Sequence, residues 1–453
     1  GSMAPTLMGQ HLKMHSDETG YRFNAGVSAR MEGLSGRSQL ADPMLGPRYD
    51  ALTLGEATSG RSHMGDRILV LKSLYPFNSP RRYDVVVFKN PTDPNGEAGN
   101  YIKRLIGLPN ETVLITDGDV FARPNDGESP YTIQRKPEHI QRAVWQPVFD
   151  SNYQPENGVM LQPPYERPPW SGRAWTTDQR TWRTDTAEPT RLEWDNGIRW
   201  ITDWTAYNML DVRGPNTIPV ADLRLAATLL PDADTLTTTF ELEARSHIFQ
   251  FRLEPDRVVI RYRSAADPMT WTDAATADAR PFRAGGPTRI ECWHVDQELA
   301  LFLNGERILR LPYHWDAEQR IRAATGSPEG VGVDDLFGRQ QPEPPRLRWS
   351  FEGSPVTIRS VRLDRDLHYR SGTLSAQNQK NDPPIYGWGF GTHPDNPGVL
   401  GPDQYMMCGD NSAESLDSRF WARPDPVVAS QLDDTPFVVH RNLVIGKAWV
   451  VYF

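Results

Sequence analysis

Lysine is scarce in this chain, and the scarcity narrows the side chains able to act as a base. The 49 lysines and arginines include lysine only at Lys13, Lys72, Lys89, Lys103, Lys136, Lys380 and Lys447. An arginine stays protonated and accepts no proton. Lys103, in Tyr101-Ile102-Lys103-Arg104, lies in a strand-like run whose alternation turns it to the face of Tyr101 and Leu105. Alone it reads as an edge-strand lysine in solvent. Desolvated, its amine would release its proton and could deprotonate a serine. Two segments offer serines. Gly1-Ser2-Met3-Ala4-Pro5-Thr6 reads either as a remnant of tag removal or as a serine nucleophile followed by a proline-fixed turn. Gly409-Asp410-Asn411-Ser412-Ala413-Glu414-Ser415-Leu416-Asp417-Ser418-Arg419 reads either as a surface turn with a weak exposed ion pair or as a buried network. In the second case a hydroxyl fixes the lysine and a charge pair holds the loop.

The elements that must position these residues are strands. Asp66 to Leu71 and Asp84 to Phe88 are short runs rich in β-branched residues, bounded by turn residues. YIKRLIGLPNETVLI reads as two strands joined at Gly107-Leu108-Pro109-Asn110, followed by a DGD turn and the strand VFA. From about Asn125 to Gly372 the character changes, and tryptophans crowd the stretch from Trp145 to Trp349. TFELEARSHIFQFRLEPDRVVIRYRS and RIECWHVDQELALFLNGERILRL alternate apolar and polar residues, the second turning at Asn304-Gly305, a strong hairpin signal. These repeats predict an antiparallel β-sandwich inserted into another domain. After the polar linker SGTLSAQNQKNDPP the chain returns to its earlier style and closes on the apolar strand RNLVIGKAWVVYF. The expected fold class is mostly β. An antiparallel core is divided into a nucleophile segment (1–8), a lysine-bearing part (64–124) and a C-terminal part (373–453). An irregular insertion (9–63) and the sandwich (125–372) interrupt it.

Composition excludes several classes. A net charge of -9 with no dominant basic segment argues against a nucleic-acid partner. No apolar run reaches the roughly 18 residues of a membrane span, and no secretory leader is present, so any anchor is expected outside this sequence. Cys292 and Cys408 lack the spacing of a zinc site.

SMAPTL, RRYDVVVFKNP, YIKRLIGLP and GDNSAESLDSR, in that order, resemble the boxes of bacterial type I signal peptidases, membrane-anchored Ser/Lys endopeptidases that cut signal peptides from exported proteins. The resemblance covers residues 1–8, roughly 64–124 and roughly 385 to the end. It implies Ser2 as nucleophile and Lys103 as general base. It also implies Ser415 as the hydroxyl that bonds the lysine, and Asp417 with Arg419 as the ion pair steadying that loop. Met3 and Pro5 would shape the turn beneath the nucleophile. Asp84 falls in a GDVVVF-type box in which Tyr83 replaces the usual glycine, and Ser412 replaces an arginine seen in some members, an exchange expected to be harmless. The family's oxyanion hole takes a hydroxyl from a serine two places before the nucleophile, a position preceding Gly1. Small substrate residues before the cut would fit apolar pockets, with Met3, Ile102 and Leu105 as candidate walls. No metal or cofactor is implied. The implied partners are preprotein signal peptides and the cytoplasmic membrane, with the catalytic part on its outer, periplasmic side.

His11 and His15 are read as polar loop residues, and DETGYRF has the rhythm of a zinc knuckle without its cysteines. The sandwich looks similar to concanavalin-like or laminin-G-like domains. Its tryptophans read as packing residues or as the lining of a face that binds an envelope glycan or protein. The rival functions are therefore a binding protein built on a weakly active or inactive peptidase scaffold, or a soluble Ser/Lys autoprotease of the repressor-cleaving type. The second leaves GDNSAESLDSR unexplained.

Overall fold

A computed structural model describes the chain except for residues 28–38, 47–49, 54–61, 76, 97–98, 156–166, 212–216, 329, 340, 380, 382 and 453. The β-branched run Val85–Lys89 and the strand Asn100–Gly107 form the middle of a 6-stranded antiparallel sheet. Its order is Val439–His440, Gln404–Cys408, Asn100–Gly107, Val85–Lys89, Val444–Tyr452 and Arg67–Leu71. Lys103 therefore lies on an interior strand, opposite Val86, rather than on an edge. A register shift where Met406 and Met407 pair with Gly107 and Leu105 interrupts the regular ladder. The residues from Lys103 to Gly107 are all buried, so simple alternation fails there. Beside this sheet, Glu111–Thr116 and Asp119–Pro124 pair as a hairpin within a 4-stranded sheet completed by Thr132–Ile133 and Gly398–Val399. Val86, Phe88, Leu105, Ile106, Val113, Met406 and Trp421 share one core.

The inserted β-sandwich is present. An 8-stranded sheet and a 7-stranded sheet bury Trp170, Trp182, Trp349, Phe249, Phe251 and Leu363 in a common core. This is the packing role expected of those tryptophans, since each supplies a large apolar area. The sequence reading missed the helix Ala317–Thr325, although Asp316 and Gln319 form a capping box before it and Gly326 closes it in the left-handed region. Within 9–63, where irregular structure was expected, His11–His15 pairs with Arg22–Gly26 and Gln39–Ala41 with Asp50–Thr53 as two-stranded ribbons. The DETGYRF stretch forms the turn and the return strand of the first. His11 stacks on His63, and His15 faces Asp17 at 3.4 Å.

Charged hairpin tips join sandwich and core. Asp117, Arg245, Ser246, Asp296 and Gln297 all take positive φ, as two-residue antiparallel turns require. None of these positions is a glycine. Arg245 reaches Asp117 at 2.7 Å, and the fully buried Arg320 bonds Asp117 at 2.8 Å and Asp119 at 2.6 Å. Lys136 bridges Asp296 (2.6 Å) and Asp366 (2.7 Å). Unpaired, such charges would be expelled from an interior, so the pairs hold the two units in register.

Candidate functional site

Lys103 is 2% exposed, and its Nζ donates to Ser415 Oγ at 2.9 Å. Burial pushes its pKa down to about 8. The Asp417 carboxylate opposes that shift and the Arg419 guanidinium adds to it. A buried ammonium loses its hydration, so the neutral amine gains relative to its state in water.

The loop carrying Ser415 is held from inside. Asp417 and Arg419 are fully buried and bond twice, at 2.9 and 2.8 Å. Burial is the largest influence and would raise the Asp417 pKa, but the Arg419 charge and hydrogen bonds, the Lys103 charge and the Gly409 N–H together outweigh it and hold the carboxylate below its usual range. Asp417 also accepts the Gly409 N–H at 2.9 Å. Ser412 is a junction: its hydroxyl accepts from Arg419 at 2.7 Å and from the Arg370 N–H at 2.7 Å.

Ser2 comes to this loop by its backbone. Its carbonyl accepts the Asn411 N–H at 3.0 Å, and Asn411 Nδ2 donates to the Gly1 carbonyl at 3.1 Å. A Cβ on Gly409 would lie 2.2 Å from Ser415 Oγ and 2.3 Å from the Ser2 carbonyl. Only a glycine there lets the Ser2 backbone come this close to Ser415. The Ser2 side chain is half-buried and bonds no other described residue. The terminal amine of Gly1 has its pKa lowered by burial and then by the charge of Lys103, which puts the lysine within electrostatic reach of this segment. Thr6 donates to Asp410 at 2.5 Å, and Arg104 grips the same carboxylate at 2.7 and 2.6 Å. The neighbour of Lys103 thus holds Thr6, four residues after Ser2, through one aspartate.

Ser2, Lys103, Ser415, Asp417 and Arg419 are therefore brought together from segments far apart in the sequence. Of the three wall candidates, Ile102 is half-buried, Met3 is buried, and Leu105 packs inside the core against Val86 and Ile106. Leu105 thus presents no surface for a substrate side chain to touch. The sequence reading missed Arg104, Asp410 and Asn411, although Asp410 and Asn411 stand within the quoted motif. Tyr83, at the glycine position of its box, has φ of 72°. The backbone demands the left-handed region, and the tyrosine meets it while its hydroxyl donates to the Gln134 carbonyl and its carbonyl accepts from Arg104 at 2.9 Å. Asp84 bonds Lys447 at 2.5 Å and Tyr75 at 3.2 Å, which ties the closing strand to this box.

Part of this unit is similar to known proteins. The family described as "Signal peptidase, peptidase S26" matches residues 52–163, a stretch that includes Lys103 and ends before Ser415. Residues 52–163 are thus similar to the peptidase S26 family. The chain is 41% identical over 81 residues to signal peptidase I of Leptolyngbya laminosa, covering 17% of this chain and 39% of the relative. It is 38% identical over 89 residues to signal peptidase I of Pseudomonas aeruginosa, covering 16% and 30%. With signal peptidase I T of Bacillus subtilis the identity is 32% over 84 residues, covering 18% and 40%. The chain thus aligns with well under half the length of these S26 relatives. Among solved structures, a laminarinase from Flavobacterium is similar with TM-score 0.30 and 9% identity, over 49% of this chain and all (100%) of that one. The galectin LEC-6 of Caenorhabditis elegans gives 0.22 and 16%, over 32% and 83%.

Proposed function

We propose that this protein is a signal peptidase of the type I class, a serine endopeptidase that hydrolyses a peptide bond through an ester on Ser2. The observation that carries the reading is the buried Lys103 amine, its pKa pushed down to about 8, bonded to Ser415, whose hydroxyl and the Ser2 carbonyl both crowd Gly409. Neutral Lys103 takes the proton of the Ser2 hydroxyl as Oγ attacks the scissile carbonyl carbon. The carbonyl π electrons move to oxygen, and the Ser2 N–H is the donor this reading assigns to that oxyanion. As the intermediate collapses the C–N bond breaks, and the Lys103 ammonium gives its proton to the departing amine. Lys103 then deprotonates a water that attacks the ester, and Ser2 recovers its hydrogen. Ser415 fixes the amine, and the Asp417–Arg419 pair fixes Ser415. Ile102 is the wall candidate with surface left to meet a small substrate side chain.

The same reading places the protein against the outer face of the cytoplasmic membrane. Among the described residues no helix is long and apolar enough to cross a membrane. The paired strands Val444–Tyr452 and Arg67–Leu71 expose Trp449, Val450, Val451, Tyr452 and Leu69, and Met64 and Phe77 are exposed as well. Exposed aromatic and aliphatic side chains of this kind suit an acyl-chain boundary.

A second role is favoured by one observation. The outer face of the 7-stranded sheet holds an open groove of about 800 Å³, lined by Arg191, Glu193, Thr239, Arg252, Ser350 and Glu352. Paired donors and acceptors of this kind suit the hydroxyls of an envelope glycan. Titration with soluble cell-wall oligosaccharides, parent beside Arg252→Ala, tests it; heat released by neither sinks the idea.

The peptidase reading is tested with a preprotein carrying an Ala-x-Ala cleavage site. Cleavage at that site, lost in both Ser2→Ala and Lys103→Ala, is the expected outcome. Cleavage that survives both substitutions, or none by the folded parent, overturns it and favours the binding scaffold.

A further inference from the structure

The inserted domain does not stop at the back of the peptidase sheet. Its segment Ala206–Asp211 reaches the nucleophile loop, with Asn208 at a kink where φ is -96° and ψ is 33°. The kink presents the Asn208 amide to the amide of Asn411. Asn208 Nδ2 donates to Asn411 Oδ1 at 2.6 Å, and Asn411 Nδ2 donates back to Asn208 Oδ1 at 2.8 Å. Asn411 is buried, and its second amide hydrogen goes to the Gly1 carbonyl while its backbone N–H goes to the Ser2 carbonyl.

An amide side chain has one acceptor end and one donor end. The reciprocal pair with Asn208 fixes which end of Asn411 faces the insert, and so which end faces Gly1. Without Asn208, one side-chain hydrogen bond would remain to hold Asn411. Tyr207 adds a steric hold: a Cβ on Gly1 would lie 2.8 Å from its hydroxyl, on Gly9 3.3 Å from that atom, and on Gly26 2.6 Å from its ring. Both ends of the nucleophile loop therefore meet under one buried ring. The segment is itself anchored to the catalytic loop. Asp203 bonds Arg370 at 2.5 and 2.9 Å, the Arg370 N–H donates to Ser412, and the Arg370 carbonyl accepts from Arg419 at 2.8 Å.

We infer that the inserted domain is part of the catalytic apparatus, with Asn208 a positioning residue that sets Ser2 through the Asn411 amide. The inference rests on the reading of Ser2 as nucleophile. The insert then adjusts the attack geometry from a surface that S26 cores without it do not possess. A displacement of about 1 Å at a nucleophile is worth on the order of 100-fold in rate.

The test compares the parent, Asn208→Ala, Asn208→Asp, Asn411→Ala and the Asn208→Ala/Asn411→Ala double variant on a preprotein with an Ala-x-Ala site. Asn208→Ala is expected to lower kcat roughly 10- to 100-fold, in line with two lost hydrogen bonds and the resulting misplacement. KM and the pH limb should stay unchanged, because Lys103 and the substrate walls are untouched. Asn208→Asp keeps the acceptor for Asn411 and should fall between. The double variant should be no slower than Asn411→Ala alone, since one acts through the other. Amide hydrogen exchange supplies a readout independent of turnover: residues 1–9 and 409–415 should exchange at least tenfold faster in Asn208→Ala, with the sandwich strands unchanged. Parental kcat in Asn208→Ala, or full additivity in the double variant, overturns the inference. A parent that cleaves nothing defeats the peptidase reading instead, and equal exchange in parent and Asn208→Ala then defeats the positioning role too.

Discussion

Lowering the pH titrates Lys103, and the structure fixes where activity should fail. With the amine at a pKa of about 8, roughly one tenth of the enzyme carries a neutral lysine at pH 7, and about one hundredth at pH 6. A lysine at the ordinary value of 10.5 would be neutral in about 3 molecules per 10,000 at pH 7, so burial raises the competent fraction about 300-fold. The assay is kcat/KM for an internally quenched Ala-x-Ala peptide, measured from pH 5.5 to 10 in buffers of constant ionic strength. The logarithm should rise with unit slope and level off above about pH 8. The predicted group is a cation that must lose its proton, so activity falls on the acid side and a solvent of lower polarity should move that limb to lower pH. A flat profile between pH 6 and 8, or a limb near 10.5, would refute the assignment of Lys103 as a desolvated base.

Three further outcomes follow from buried charges and exposed apolar surface. The folded pKa of Lys103 lies below its unfolded value, so below pH 8 its burial costs the fold about 3 kcal/mol, a penalty that fades between pH 8 and 10.5. Lys103→Met should therefore abolish cleavage yet raise the urea midpoint at pH 7 by 1–3 kcal/mol equivalent, with a smaller gain at pH 10; a destabilised variant at pH 7 contradicts this. Arg320→Ala should cost about 3–5 kcal/mol by stranding Asp119, while Asp117 and Asp222 keep their pairs with Arg245. The pKa of Asp119 is already raised, by burial and then by Asp222, so the loss in Arg320→Ala should be smaller at pH 5, where the stranded carboxylate takes up a proton; equal losses at pH 5 and 8 by calorimetry would argue against it. Trp449→Asp should reduce sedimentation with anionic phospholipid vesicles several-fold while leaving peptide cleavage in solution intact; undiminished sedimentation places the membrane contact elsewhere.

Much of the site was legible because its chemistry is local in sequence. Lys103 stands in a recognisable strand, and Ser415, Asp417 and Arg419 lie within one short motif. What escaped reading depends on contacts between distant segments. The chain from Arg104 through Asp410 to Thr6 joins residues hundreds of positions apart, and the Asn208–Asn411 pair links an insert to a motif written without it. The Asn304-Gly305 hairpin announced itself, whereas the tips at Arg245-Ser246 and Asp296-Gln297 did not. Those tips pay for a left-handed backbone with charge pairs instead of glycine. Tyr83 breaks its box pattern for a related reason, since the backbone there needs a positive φ and the ring is used to reach Gln134. Leu105, a wall candidate only through the resemblance, lies inside the core with Val86 and Ile106, a contact between segments that its own short run does not reveal.

The most direct test of the central claim is to look for the covalent intermediate. A peptide ester ending at an Ala-x-Ala site, mixed with the protein at pH 8 and quenched in acid within milliseconds, should leave the acyl mass on the peptide that contains Ser2. The adduct should be absent from Ser2→Ala and from Lys103→Ala. Turnover without any adduct on Ser2, or an adduct that survives Ser2→Ala, would contradict the account.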